Sequence, residues 1–177
     1  MSEYQDLVNH LSLENTRVNL VPSLWNKINP NVLKAVQCVQ NWNTFKYLND
    51  DGTLNINGIR KVNCHKGGIY VYYISPEIIP ERQRILMYIG RAHKTANENL
   101  RARIRSYYKF FCNEDISRPQ IRQLFYVWGH YIYCSFIELD DNDTIDIIEN
   151  ELINALLPPC NSSIPNVTIS AAARSAL

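Results

Sequence analysis

The spacing of hydrophobic positions changes along this chain, and the changes mark its elements. After Asn29-Pro30, Val32, Ala35, Val36 and Val39 recur at helical spacing, with the proline at the first helical position. FKYLNDDGTLNI follows (residues 45–56), and its turn residues Asp51-Gly52 predict a hairpin. Gly67-Gly68 precede a β-rich run over 69–74, which Pro76 ends. A polar loop carrying Pro80 leads to a second short strand over 85–89, so the two strands predict an antiparallel pair. NLRARIRSYYKFF (99–111) reads as a helix with Leu100, Ile104, Tyr107 and Phe111 in one narrow stripe. Ser117, Pro119 and Gly129 bracket another helix, carrying Ile121, Leu124, Phe125 and Trp128. YIYCSFIEL, from Tyr131, is a third strand, and an acidic turn from Leu139 ends at Thr144 as a helix cap. The order from residue 67 predicts an α+β sandwich with a small, mostly antiparallel sheet flanked by helices. Residues 1–66 read as an N-terminal extension of helix plus hairpin, and 67–177 as the main domain.

The last helix, IDIIENELINALLPP (145–159), breaks its own pattern. Wound at 100° per residue, it gathers Ile145, Ile148, Leu152, Ile153, Ala155 and Leu156 on one face. Glu149 falls inside that stripe, at about 40° from Ile145. An unpaired buried carboxylate costs several kcal/mol or takes up a proton. Its partner is therefore a buried Arg or Lys, water in a cavity, or a metal ion, and helical spacing alone leaves the three open.

With 177 residues, 46% of them apolar and 20% charged, the chain fits one globular domain with or without an appended element. No apolar run approaches the ~20 residues that span a bilayer, and MSEYQDLVNH lacks the apolar core of a signal peptide. Five widely spaced cysteines form no zinc-type pairing, which suits reduced thiols and a cytoplasmic protein. The net charge of +1 is uninformative, but its distribution is not. Residues 82–109 hold eight Lys/Arg against Glu98 alone, and residues 138–151 hold seven acids and no base. The pairing suggests a basic surface for a polyanion beside a carboxylate site for a cation.

GGIY (67–70) and MYIG (87–90) resemble the two signature strands of the GIY-YIG nuclease superfamily, which includes homing endonucleases, some restriction enzymes and the N-terminal domain of the bacterial excision-repair nuclease. NLRARIRSYY resembles that family's arginine helix, and IIENELINALLPPCN its glutamate helix and trailing asparagine. The resemblance spans about residues 67–161 and departs from compact members in a longer loop between the strands and an insertion carrying His93 and Lys94. It implies a three-stranded antiparallel sheet flanked by helices, and a metal-dependent endonuclease acting on DNA, duplex for preference. It also implies catalytic roles for Tyr70, Tyr88, Arg103, Tyr107, Glu149 and Asn161, with Glu149 as metal ligand.

Phosphodiester hydrolysis rests on positioning and on cancelling developing charge. A lone carboxylate suits Mg²⁺ or Mn²⁺, one per site, with waters and phosphate oxygens as the other ligands. Arg103 offers a planar fork for phosphate. Tyr70 as a general base requires a fall of ~3 pKa units, about 4 kcal/mol, whereas orienting the attacking water demands less. Tyr88 and Tyr107 then hold phosphate or water, and Asn161 fixes the site. Arg91, Lys94, Arg101, Arg105 and Lys109 are candidate DNA contacts. His65, His93 and His130 are weaker candidates for proton transfer. One site cuts one strand, so duplex cleavage requires a homodimer, a partner subunit or two successive cuts. The alternative reading is a non-catalytic nucleic-acid-binding or subunit-contacting module on the same fold.

Overall fold

The computed structural model describes residues 15–79 and 82–176, together with Gln5, Leu7 and Val8. Pro80, in the loop between the signature strands, lies outside the described residues. The elements are α1 (Pro22–Trp25), α2 (Pro30–Gln37), β1 (Asn43–Lys46), α3 (Ile56–Lys61), β2 (Gly67–Ile74), β3 (Ile85–Ala92), α4 (Leu100–Ser106), α5 (Tyr108–Phe111), α6 (Pro119–Trp128), β4 (Ile132–Leu139), α7 (Asn142–Leu156) and α8 (Val167–Ala176). Helix and sheet combine in an α+β fold around one open antiparallel sheet, ordered β1-β4-β2-β3. No helix among the described residues is long and apolar enough to cross a membrane.

The sheet has four strands, not the expected three. The extra one, β1, comes from the segment read as an extension and pairs Asn43 to Lys46 with Phe136 to Tyr133 of β4. Phe45 packs edge-on to Phe136 at 6.2 Å, and Thr44 and Ser135 share a 2.5 Å hydrogen bond between hydroxyls. The predicted hairpin shrinks to a turn in which Asn49 N–H donates to the Thr53 carbonyl (2.8 Å), with a single bridge between Leu48 and Leu54. The return strand cannot form because Asn55 caps α3, its side chain accepting from Gly58 N–H at 2.9 Å.

Two other boundaries move. The helix expected over 99–111 breaks at Tyr107 into α4 and α5, with Asn99 capping α4 through Ala102 N–H. The cap of α7 is Asp141 rather than Thr144: the Asp141 carboxylate accepts from Thr144 N–H at 2.8 Å.

Side chains alternate across the sheet, which divides the core in two. Tyr70, Tyr72 and Tyr88 face a cluster built with Leu100, Ile104, Tyr107, Ile121 and Phe125. Ile69, Ile89 and Ile137 face the other cluster, with Val32 of α2 and Ile145, Ile148 and Leu152 of α7. Gly68 lets β2 and β4 approach at φ +153°, where an added Cβ would stand 2.0 Å from the Ile137 carbonyl oxygen.

Candidate active site

Strand β3 is one of the two sheet edges, and the candidate site wraps around it. Tyr88 lies opposite Tyr72, on the face covered by α4, and Arg91 lies opposite Ile69, on the face covered by α7. Helix α4 brings Arg103 to the edge from one side, and α7 brings Glu149 from the other. Tyr88, Arg91, His93, Glu98, Arg103 and Glu149 line one pocket of about 320 Å³.

Glu149 has a protein partner. Arg91 Nε donates to its Oε2 at 2.5 Å, and the same guanidinium also pairs with Asp146, one turn earlier on α7. The side chain is 15% exposed, so it is neither sealed nor free. Burial pushes the Glu149 carboxyl above its ordinary range, while Arg91 pulls it down. Of the three partners left open, the structure shows the arginine. His93 also packs against Asp146, at 2.5 Å from its Nε2, which places it in the pocket.

The phenols form a connected cluster. Tyr70 and Tyr107 hydroxyls are 2.7 Å apart, and Tyr107 donates to Tyr88 at 3.2 Å. Arg103 Nε donates to the Tyr70 hydroxyl at 3.4 Å, and its guanidinium lies 5.9 Å from the Tyr107 ring centre. Tyr70 is fully buried, and burial, with Tyr107 and Tyr88 beside it, pushes its pKa well up. That is the opposite of the fall a general base needs. Tyr72, a second phenol on the same face, is also wholly buried. Burial likewise pushes Tyr88 up to about 12, but this residue reaches the pocket.

Gly90 is what lets the phenols pack this way. A Cβ there would stand 2.5 Å from the Tyr70 hydroxyl oxygen and 2.7 Å from the Tyr88 ring. Gly90→Ala is expected to destabilise the fold by about 1–3 kcal/mol, as overpacking does, and to displace both tyrosines. Denaturant unfolding measures the loss.

Asn161 acts on the backbone. Its Nδ2 donates to the Ile89 carbonyl at 2.8 Å and its Oδ1 accepts from Ile89 N–H at 2.9 Å. It thereby stands in for a neighbouring strand at the open edge of β3, between Tyr88 and Gly90.

The basic residues expected on DNA are placed unevenly. Arg91 is committed to Glu149 and Asp146, and Lys94 lies 3.5 Å from Asp140. Arg101 donates to the Val62 carbonyl at 2.5 Å and to the Arg60 carbonyl at 3.1 Å, tying α4 to α3. Lys109 pairs with Asp115 at 2.6 Å. Arg105 is exposed.

One residue was missed altogether. Arg118, the residue before α6, donates to the Tyr107 hydroxyl at 3.2 Å and the Tyr88 hydroxyl at 3.1 Å. A lone Arg ahead of Pro119 carries no local signal, because its place depends on how α6 packs beside α5.

The donor set can be tested against a metal. Among the described residues there is no group of three or more His, Cys, Asp or Glu that could hold an ion. Glu149, partly exposed on a polar pocket and outside any group of three such ligands, does not fit zinc, which takes three or four protein ligands. A hydrated Mg²⁺ or Mn²⁺ takes one or two carboxylates and completes its shell with water and phosphate, and Glu149 fits it where the ion shares the carboxylate with Arg91 or displaces it from Oε2. No protein-family model, curated protein or solved structure matches the chain.

Proposed function

We propose that the chain is a metal-dependent endonuclease hydrolysing DNA phosphodiester bonds at the edge of β3. One observation carries the reading: a carboxylate from α7, a guanidinium from α4 and a phenol from β3 line the same polar pocket. Phosphoryl chemistry uses these groups in that combination, because an anion must be bound and its developing charge neutralised.

Glu149 would hold Mg²⁺ or Mn²⁺, and the bound ion supplies Lewis-acid stabilisation of the scissile phosphate and the leaving oxygen. Arg103 presents two N–H groups to phosphate oxygens, a geometry that a lysine cannot reproduce. Tyr88 keeps its proton at neutral pH and serves as a hydrogen-bond donor. Tyr70 is too buried to take a proton from water, and Tyr107 is hydrogen-bonded to it. They hold Arg103 and Tyr88 in place. Arg91 neutralises Glu149 and Asp146, limiting the repulsion these acids would exert on an approaching phosphate. A cytoplasmic enzyme of this kind suits restriction, phage defence, mobile-element or repair roles, cutting both strands as a homodimer, with a partner subunit or in two steps.

The test is incubation with a fluorescently labelled DNA duplex and Mg²⁺ or Mn²⁺, followed by analysis of the product ends. The expected result is metal-dependent cleavage with a 3′ hydroxyl and a 5′ phosphate, and matched RNA cut more slowly. DNA binding without cleavage under every metal condition contradicts the catalytic reading and supports the binding-module alternative.

A further inference from the structure

We infer that Arg118 is a positioning residue that fills the second acceptor position of the Tyr88 hydroxyl, so that the Tyr88 O–H is the donor offered to an anionic phosphate oxygen. The inference rests on the proposed nuclease reading and adds to it a residue that does not itself line the pocket but holds Tyr88, which does.

A phenol oxygen carries one proton and accepts two hydrogen bonds. Tyr107 spends its proton on Tyr88 at 3.2 Å. The 2.7 Å contact between Tyr70 and Tyr107 must then have Tyr70 as donor. Tyr70 in turn accepts from Arg103 Nε. Arg118 Nη1 takes the remaining acceptor position of Tyr107, and its Nη2 donates to Tyr88 at 3.1 Å. Tyr88 therefore accepts twice, from Tyr107 and from Arg118. Both acceptor positions are filled, and its proton is left for an acceptor in the pocket that Tyr88 lines.

The chain thus runs one way, from Arg103 through Tyr70 and Tyr107 to Tyr88 and out to the pocket. Removing Arg118 frees one acceptor position on Tyr107 and one on Tyr88. The Tyr88 O–H can then rotate into the acceptor position that Arg118 held, and the outward donor is lost without any change in the pocket wall. The guanidinium also lies 5.5 Å from the Tyr88 ring centre and 5.8 Å from that of Tyr107, which holds both rings in place. The ligand such a donor suits is an oxyanion, here a non-bridging phosphodiester oxygen whose charge grows in the transition state.

The test is a double-mutant cycle on Mg²⁺-dependent cleavage of a fluorescein-labelled duplex, using Arg118→Met, Tyr88→Phe and the pair. Loss of one preorganised donor lowers kcat by about 100-fold, so each single variant is expected to lose about 10- to 100-fold in kcat with KM little changed. The pair should be no worse than the more damaged single variant, because both remove the same hydrogen bond. Arg118→Lys should recover part of the loss, since an ammonium still donates to these oxygens. If Arg118→Met does not fold, Arg118→Lys and Arg118→Gln, each crossed with Tyr88→Phe, make the same comparison. Losses that multiply in the pair, or full activity in Arg118→Met, overturn this inference and leave the nuclease reading standing. A wild-type chain that cuts nothing overturns the nuclease reading and this inference together.

Discussion

Glu149→Gln should abolish cleavage and, at neutral pH, leave the fold more stable than wild type. Loss of activity follows from the proposed role of the carboxylate as the cation's protein ligand. Gln keeps the shape but not the charge, and a fall of about 1000-fold or more is expected where a preorganised charge is removed from a transition state. The stability gain follows from burial. The Glu149 carboxyl is pushed above its ordinary value of 4.5 by desolvation, more than Arg91 lowers it. A group whose folded-state pKa is raised favours the fold below its unfolded value and loses that contribution as pH rises through the folded value. Above that window the ionised carboxylate is a burden, and an amide of the same size removes it. Breaking a buried pair usually costs stability by stranding the other ion. Here Arg91 keeps Asp146 and is 36% exposed, so it is not stranded. Thermal unfolding at neutral pH and near pH 4 checks the sign. The advantage of Glu149→Gln should shrink as the wild-type carboxyl takes up a proton.

Arg103 should be nearly as sensitive, with a different profile. Transition-state arginines in phosphoryl transfer are worth about 10³ to 10⁵ in rate. Arg103→Ala is expected to lose about 1000-fold in kcat, and Arg103→Lys about 100-fold, because the ammonium keeps the charge but not the two-pronged contact. Arg103→Ala also removes the donor to Tyr70 and the cation over Tyr107. It should therefore be the less stable of the two in denaturant unfolding. Single-turnover kinetics separates the effects: a defect in kcat with unchanged affinity for DNA places Arg103 at the reacting phosphate.

The parts of this account legible in the sequence are those written in local spacing. The alternation of GGIYVYYI puts Tyr70 and Tyr72 on one face, and they share one core cluster. Glu149 falls within the apolar stripe of its helix and is largely buried in the structure. Arg103 and Tyr107 stand one turn apart and meet the same phenol. What was illegible depends on distant chain segments. Strand β1 is four residues long, too short to show a period, and its partner strand lies about ninety residues later. Arg91 reads as one more base in a basic block. Its pairing with Glu149 exists only because β3 is an edge strand with α7 beneath it. The sealing of Tyr70 comes from α4 and α6 closing over the sheet. Charge counting marked Arg91, Lys94, Arg101 and Lys109 as candidate DNA contacts, and the carboxylates and carbonyls that partner them here are not visible to such a count.

Supercoiled plasmid nicking in Mg²⁺ tests the central claim most directly, with wild type, Glu149→Gln and Arg103→Lys purified alike and shown to be folded. Wild type should convert the plasmid to open circles, and both variants should leave it supercoiled over the same interval. Equal nicking by all three proteins would mean that the pocket at the β3 edge does not perform the reaction.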